Sequence, residues 1–319
     1  MTLLRALFWN EDERRLRALW RVILHGLALI ILTIALAVLG ASLGVSLPSG
    51  LSGPNMVIAA AIVGFGTWLC GRGLDRRRFV DFGLRSSPRW WADLGAGVAI
   101  GAVLMTLIFV VELQAGWLRV VDRNVSAAPD RAFAVAMIDP LVTFIAVGFY
   151  EELLSRGYHL RNLAEGLRGL KLGSAQVGPR LALVGATLVS ASVFGLLHVG
   201  NDNASAISTI NVALAGCMLA AGLLWTGQLA LPIGLHLGWN FFQGNVFGFP
   251  VSGNPMDTRV FAIEQGGDPL ITGGAFGPEA GVIGIVAMLV GLGLQALWVR
   301  AVHGELRMHG ELSTLENGV

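Results

Sequence analysis

Long apolar runs recur along this chain, separated by short polar segments. Crossing a hydrocarbon core of about 30 Å takes about 20 apolar residues in a helix, and shorter runs cross only with local thinning or buried ends. By that measure there are eight candidate spans: Val22 to Val45, Met56 to Cys70, Trp91 to Val111, Ala132 to Tyr150, Leu181 to His198, Ile207 to Trp225, Leu229 to Phe247 and Ala280 to Val299. Hydrophobic residues make up 54% of the chain and charged ones 13%, a composition foreign to ordinary soluble domains. No polar stretch between the runs is long enough to enclose a core of its own. The expected fold class is all-α, a polytopic membrane helical bundle with about eight transmembrane helices.

The connecting segments support this count, because short cytoplasmic loops are enriched in Arg and Lys. The N-terminal arm carries Arg5, Arg14, Arg15, Arg17 and Arg21, and the segment Ser46 to Asn55 has no charge. The next loop carries Arg72, Arg76, Arg77, Arg78, Arg85 and Arg89. Arg161, Arg168, Lys171 and Arg180 follow the fourth span, Val199 to Ala206 has no basic residue, and Arg300 and Arg307 follow the eighth. Both termini are therefore expected in the cytoplasm. Lys171 is the one lysine among 22 basic residues, a bias that points to a GC-rich bacterial genome and so to a bacterial inner (plasma) membrane.

The first apolar run is too long for the core of a cleaved signal peptide and reads as a retained anchor. Ahead of it, Leu3, Leu4, Leu7 and Phe8 lie near helical spacing beside charges, as in a helix lying on the inner leaflet. A formal net charge of +1 gives no nucleic-acid footprint, so the lipid bilayer is an expected partner and nucleic acid is not. Cys70 and Cys217 lie inside apolar runs, where they indicate neither a disulfide framework nor a metal cluster. Gly248 to Glu279, rich in Gly and Pro, reads as an external loop or partial cap.

Ionisable groups at membrane depth are costly unless they are paired or face a cavity, so each marks a functional position. One cluster is Tyr150-Glu151-Glu152-Leu153-Leu154-Ser155-Arg156. Glu152 and Arg156, four apart on a helix, share a face and can pair. Glu151 points about 100° away and is free for other work. A second cluster runs from Phe194 to His198 and on to Asn201 and Asp202; the third is His236-Leu237-Gly238-Trp239-Asn240, which puts imidazole and amide on one face. Taken singly, a Glu pair at a helix end reads as a solvated terminus, and either histidine as a hydrogen-bonded packing residue. Together, a free carboxylate, two imidazoles and an amide suffice for hydrolysis: the carboxylate takes a proton from water, an imidazole orients that water, and the remaining donors hold an oxyanion. His25, His159, His303 and His309 lie at membrane edges, in a basic segment or in the tail, and carry little functional weight.

At these positions the sequence resembles the CAAX prenyl protease and bacteriocin-processing (CPBP, or Abi) intramembrane endopeptidases. The resemblance rests on Glu-Glu-x-x-x-Arg at Glu151, Glu152 and Arg156, Phe-x-x-x-His at Phe194 and His198, and His-x-x-x-Asn at His236 and Asn240. The motifs cover about Tyr150 to Gly244, and Asp81-Phe82-Gly83-Leu84-Arg85 is also similar to the family. What the resemblance implies is an eight-helix intramembrane glutamic endopeptidase. In it Glu151 and His198 activate water, His236 and Asn240 support the oxyanion, and Glu152, Arg156 and Phe194 hold the site together. It implies no cofactor and a membrane-associated peptide or protein substrate; the prenylated substrate of the eukaryotic branch does not carry over to a bacterial member, whose own substrate stays open. The expected organisation is a cytoplasmic interfacial arm over 1–21, a transmembrane protease domain over 22–300 and a cytoplasmic tail over 301–319.

Two other readings stand beside this one. Glu151, His198 and His236 have the chemistry of zinc ligands, although no His-Glu-x-x-His helix is present. A transporter also uses intramembrane carboxylates and histidines, and a binding or immunity protein can keep such a fold without turnover. The linear topology contains one difficulty. At 1.5 Å per residue Glu151 lies about 28 Å along a helix begun at Ala132, near the inner face, whereas His198 lies about 25 Å from an inner start at Leu181, near the outer. A helix restarting after Pro140 would bring Glu151 to mid-membrane.

Overall fold

The computed structural model describes residues 7–11 and 13–314; the leaflet-lying stretch expected around Leu3 and Leu4 falls outside them. Among the described residues seven helical segments are long and apolar enough to cross a membrane. They are α1 (Ala18–Ser42), α2 (Gly53–Cys70, prolonged by a π turn, Gly71–Asp75), α3 (Pro88–Gln114), a composite segment Phe133–Leu167, α6 (Pro179–Leu197), α7 (Ala206–Thr226) and α9 (Val282–His303). The composite begins with a single turn, Phe133–Ala136, and continues as α4 (Ile138–Glu152), a π-helical stretch Leu153–Leu160 and α5 (Arg161–Leu167). The bundle is thus all-α and polytopic, as its composition requires.

The seventh expected span is present as α8 (Ala230–Phe241) with a π turn over Phe242–Val246. It falls short of the length of its neighbours and is buried from Ala230 through His236. Its packing explains how it lies at the centre. A Cβ placed on Gly97 or Gly101 of α3 would run into the backbone of Leu231, Gly234, Leu235 and Trp239, and one on Gly234 or Gly238 of α8 would run into Leu94 and Val98. The glycines are spaced four apart on both helices, so two bare stripes meet and the axes close up, as small residues allow in membranes. The residue numbers rise together along the contact, which makes α3 and α8 parallel. His236 and Asn240, two residues beyond Gly234 and Gly238, project about 200° around the helix, away from α3.

Helix starts follow from local chemistry. Pro88 and Pro179 occupy first-turn positions, where a missing N–H costs nothing, and the Ser87 hydroxyl accepts from the Trp90 N–H at 3.1 Å. Ser205 and Ser208 cap α7 reciprocally, and Gly227 at φ 71° ends it. The α4 start differs from expectation. The helix restarts at Ile138, before Pro140 rather than after it, because Pro140 sits within the first turn, where its ring meets no preceding carbonyl. Asp139 accepts the Gly53 N–H at 3.1 Å and so ties this restart to the beginning of α2. Glu151 is then about 13 residues, or roughly 20 Å, from the start of α4. Because the helix continues past it through the π-helical stretch and α5 to Leu167, Glu151 lies near the middle of the 35-residue composite segment, so the difficulty of the linear topology disappears.

The two ends of the bundle are built differently. At the arginine-rich end, Arg21 binds Asp75 at 2.6 Å and Glu165 at 2.9 Å, Arg15 binds Glu165 at 2.7 Å, and Arg77 also pairs with Glu165. All five side chains are buried, which joins the N-terminal arm to α2 and α5. At the opposite end β1 (Leu118–Val125) and β2 (Arg259–Gln265) pair antiparallel, from Leu118 opposite Gln265 to Val125 opposite Arg259. The segment read as an irregular external loop, Gly248 to Glu279, therefore holds a strand whose partner comes from the connection after α3.

Candidate active site

Four elements converge on one cavity of about 460 Å³ between the helices. Glu151, His198, His236 and Asn240 all line it, so the structure gathers all four chemically suited residues in one place. Tyr150, Leu154, Ser155 and Phe194 line it as well, with Asn201, Val251, Ser252 and Asn254 from connecting loops.

Glu151 stands at the end of α4, just before the π-helical stretch, a distortion that recurs at functional sites. Its Oε1 accepts from the Tyr150 hydroxyl at 3.3 Å. Its Oε2 is buried and has no hydrogen-bond partner, though it borders the cavity. A buried acceptor left open calls for a partner, and the cavity is where one can enter.

His198 is the C-cap of α6, and its Nδ1 lies 2.8 Å from the Phe194 carbonyl oxygen. A carbonyl only accepts, so Nδ1 carries the hydrogen and Nε2 of the neutral ring keeps its lone pair. His236 on α8 is held in the same manner by a carboxylate: Nδ1 lies 2.9 Å from Oε1 of Glu152. Its Nε2 stands 3.8 Å from Oε2 of Glu151, beyond direct hydrogen-bond reach. That nitrogen accepts when the ring is neutral and donates when it is cationic. Asn240, four residues on, makes no side-chain hydrogen bond to another described residue and lines the cavity beside it.

The supporting residues form one connected unit. Arg156 donates to Oε1 of Glu152 at 3.0 Å and to the Gly216 carbonyl at 3.2 Å, and its guanidinium lies 4.3 Å from the centre of the Phe194 ring. Phe194 in turn packs against His198 with ring centres 4.8 Å apart. Arg156 thus links α4, α6 and α7, and Glu152 extends the link to α8 through His236. The Glu152–Arg156 pair was legible from its spacing. That Glu152 also grips His236, 84 residues away, was not. Removing either member of a buried pair leaves the other charge uncompensated, at a cost of about 3 to 5 kcal/mol. Glu152→Ala and Arg156→Ala should therefore both lower the melting temperature of detergent-purified protein and reduce turnover. Unchanged melting in both variants would contradict a structural role.

Sequence reasoning missed a second group of residues. A smaller cavity of about 50 Å³ is bordered by His198, His236 and Asn240 and also by Ser252 and Glu279. Glu279, from the turn before α9, accepts the Ser252 N–H at 2.5 Å and the Ser252 hydroxyl at 3.2 Å, and it bonds Gln243. Burial pushes its carboxyl up to about 7 despite these hydrogen bonds. Gln243 also donates to the Pro250 carbonyl at 2.5 Å. Together they pin the 248–254 loop beside the site. Gln243 lies three residues past Asn240, the one local hint; Glu279 offered none.

Among the described residues no three His, Cys, Asp or Glu side chains come together in a group suited to a metal ion. Glu151, His198 and His236 border one cavity without forming such a set, with the Nδ1 atoms of both histidines engaged by protein acceptors.

Comparison with known proteins agrees with the motifs. No curated protein and no solved structure matches the chain. A family model described as "Type II CAAX prenyl endopeptidase Rce1-like" matches residues 133–242, about a third of the chain and the stretch that supplies Glu151, His198, His236 and Asn240. That stretch, which runs from the single turn at Phe133 to the start of the π turn after Asn240, is similar to the Rce1-like type II CAAX prenyl endopeptidases.

Proposed function

We propose that this protein is an intramembrane endopeptidase in which Glu151 and His198 activate a water molecule while His236 and Asn240 stabilise the oxyanion. The observation that carries the reading is the open Oε2 of Glu151, a buried carboxylate oxygen bordering a polar cavity that His198, His236 and Asn240 also line. The water oxygen attacks the scissile carbonyl carbon, and its proton passes to Glu151. The lone pair on Nε2 of His198 accepts a hydrogen bond from the same water and aims it. Negative charge gathers on the carbonyl oxygen, where Asn240 Nδ2 and the Nε2–H of a cationic His236 act as donors. Glu151 then delivers its proton to the departing nitrogen as the C–N bond breaks, leaving a carboxylic acid and an amine, which exchange a proton to become carboxylate and ammonium.

Glu152 and Arg156 act on this chemistry through other groups. Glu152 holds His236 by Nδ1, so Nε2 faces the cavity, and Arg156 keeps Glu152 in place. In this reading no step passes through a metal. The test is hydrolysis of a membrane-tethered reporter peptide by purified protein before and after dialysis against a strong chelator, with elemental analysis of the same sample. Cleavage should survive chelation with less than one zinc per chain. Zinc at one per chain, with activity lost on chelation and restored by zinc, would replace this mechanism by the zinc reading. Absence of cleavage under all conditions would remove the endopeptidase reading.

A further inference from the structure

The direction in which the cavity opens follows from two independent features, the placement of charge and the identity of the loops at its mouth. Of the 22 basic residues only four, Arg119, Arg123, Arg131 and Arg259, belong to connections at the end of the bundle that carries β1 and β2. Apart from Arg156 beside the cavity, the other described ones flank the opposite ends of the helices. Arginine and lysine are retained on the cytoplasmic side of short loops, so the arginine-poor end is the outer one.

The mouth of the cavity lies at that outer end. Gly50 and Leu51 come from the connection between α1 and α2, Asn201 from the turn after α6, and Ser252 and Asn254 from the loop after α8. Every one of these connections is at the arginine-poor end, and both Gly50 and Leu51 are exposed. A second cavity of about 380 Å³ shares Leu51, Phe144 and Asn254 with the first and continues the path past Asp139 and Asp257. The arginine-rich end is closely packed. Phe82, Leu153, Tyr158 and Leu229 are fully buried there, packed in one apolar cluster beyond the Glu152–Arg156 pair. Leu197 also lines the cavity and is 62% exposed on the helix surface, so the site has a lipid-facing edge as well as an aqueous one.

We propose that the site opens on the extracytoplasmic face, between the 50–52 and 251–254 segments, and takes outward-facing peptide segments of membrane-anchored chains. A substrate of this class reaches the site by lateral diffusion, with its anchor in lipid beside Leu197 and its cleavable segment at the outer mouth. A peptide presented in the cytoplasm meets the packed end of the bundle instead. The direction of opening rests on charge and packing alone; only the word substrate rests on the hydrolytic reading.

Cysteine accessibility in the full-length protein tests the opening without reference to activity. Leu154, which lines the cavity one turn beyond Glu151, is replaced by cysteine. Ser49→Cys in the outer connection and Ser174→Cys in the arginine-rich loop report the side, and the unsubstituted chain with Cys70 and Cys217 supplies the background. In intact spheroplasts a small charged, membrane-impermeant thiol reagent should modify L154C and S49C, and S174C only after permeabilisation. Modification of L154C from the cytoplasmic side alone, or from neither side, overturns the proposal, as does S174C reacting in intact spheroplasts while S49C does not. Sided cleavage completes the test, with two single-span reporters carrying the same cleavable segment, outside in one and inside in the other. Loss of cleavage when the segment lies inside is expected, and preferential cutting of the inside segment overturns the proposal. If L154C reacts from outside while neither reporter is cut even in detergent, the opening stands and the endopeptidase reading fails.

Discussion

Glu151→Gln and His198→Ala are each expected to reduce hydrolysis of a reporter peptide by about 10²- to 10⁴-fold, the usual contribution of a positioned acid–base group. Both variants should express, extract into detergent and elute as monodisperse protein like the parent. The reason lies in how each residue is held. Glu151 contributes one weak hydrogen bond, from Tyr150 at 3.3 Å, and leaves its other oxygen open, so replacing the carboxylate by an amide removes a base without breaking a structural contact. His198 is held by its Nδ1 bond to the Phe194 carbonyl at the end of α6, where water can take over the acceptor, and by packing on the Phe194 ring at the edge of the cavity. Purified Glu151→Gln or His198→Ala with parental turnover would remove that residue from the chemistry. The contrast with Glu152→Ala is itself informative, because Glu152 is clasped by both Arg156 and His236 and should cost stability as well.

Asn240→Ala should lower kcat by about 10²- to 10³-fold, the typical cost of one oxyanion donor, with KM little changed. The interaction strengthens only as charge builds on the carbonyl oxygen, so its loss falls on the chemical step more than on binding. Asn240→Asp should recover nothing, since it places an acceptor and a negative charge where a donor is needed. The competing role for an amide on a membrane helix is a bridge to a neighbouring helix, worth roughly 0.5 to 2 kcal/mol. No such side-chain bridge from Asn240 exists among the described residues, and the residue borders both cavities at the site. A melting temperature lowered in Asn240→Ala with kcat intact would restore the bridging role and end the oxyanion one.

Much of the candidate site was legible because its parts are local. Spacing of four residues on a helix is enough to pair Glu152 with Arg156, to set Phe194 beside His198 and to align His236 with Asn240. Hydropathy likewise marks helices that must close their own backbone hydrogen bonds in lipid, so the all-α class and most spans followed directly. The shortness of α8 was not legible. An apolar run reads the same whether lipid or protein surrounds it, and only the glycine contacts with Leu94 and Val98 show that α8 is enclosed. The β1–β2 pair escaped for a related reason, since its strands lie more than 130 residues apart and neither alternates cleanly between buried and exposed faces.

What the sequence determined by itself was a membrane-spanning helical chain with three polar motifs at membrane depth, because transfer from water to lipid and side-chain periodicity act residue by residue along the chain. What only the tertiary structure decided was which of those polar atoms meet. The continuation of the fourth segment to Leu167 put Glu151 in its middle and on the same cavity as His198, the close approach of α3 and α8 turned His236 and Asn240 toward that cavity, and Glu152 became the partner of a histidine 84 residues away. Gln243 and Glu279 were brought to the same wall from separate connections. Contacts of this kind depend on helix register and the fit of neighbouring surfaces, and those are properties of the packed bundle that no single segment contains.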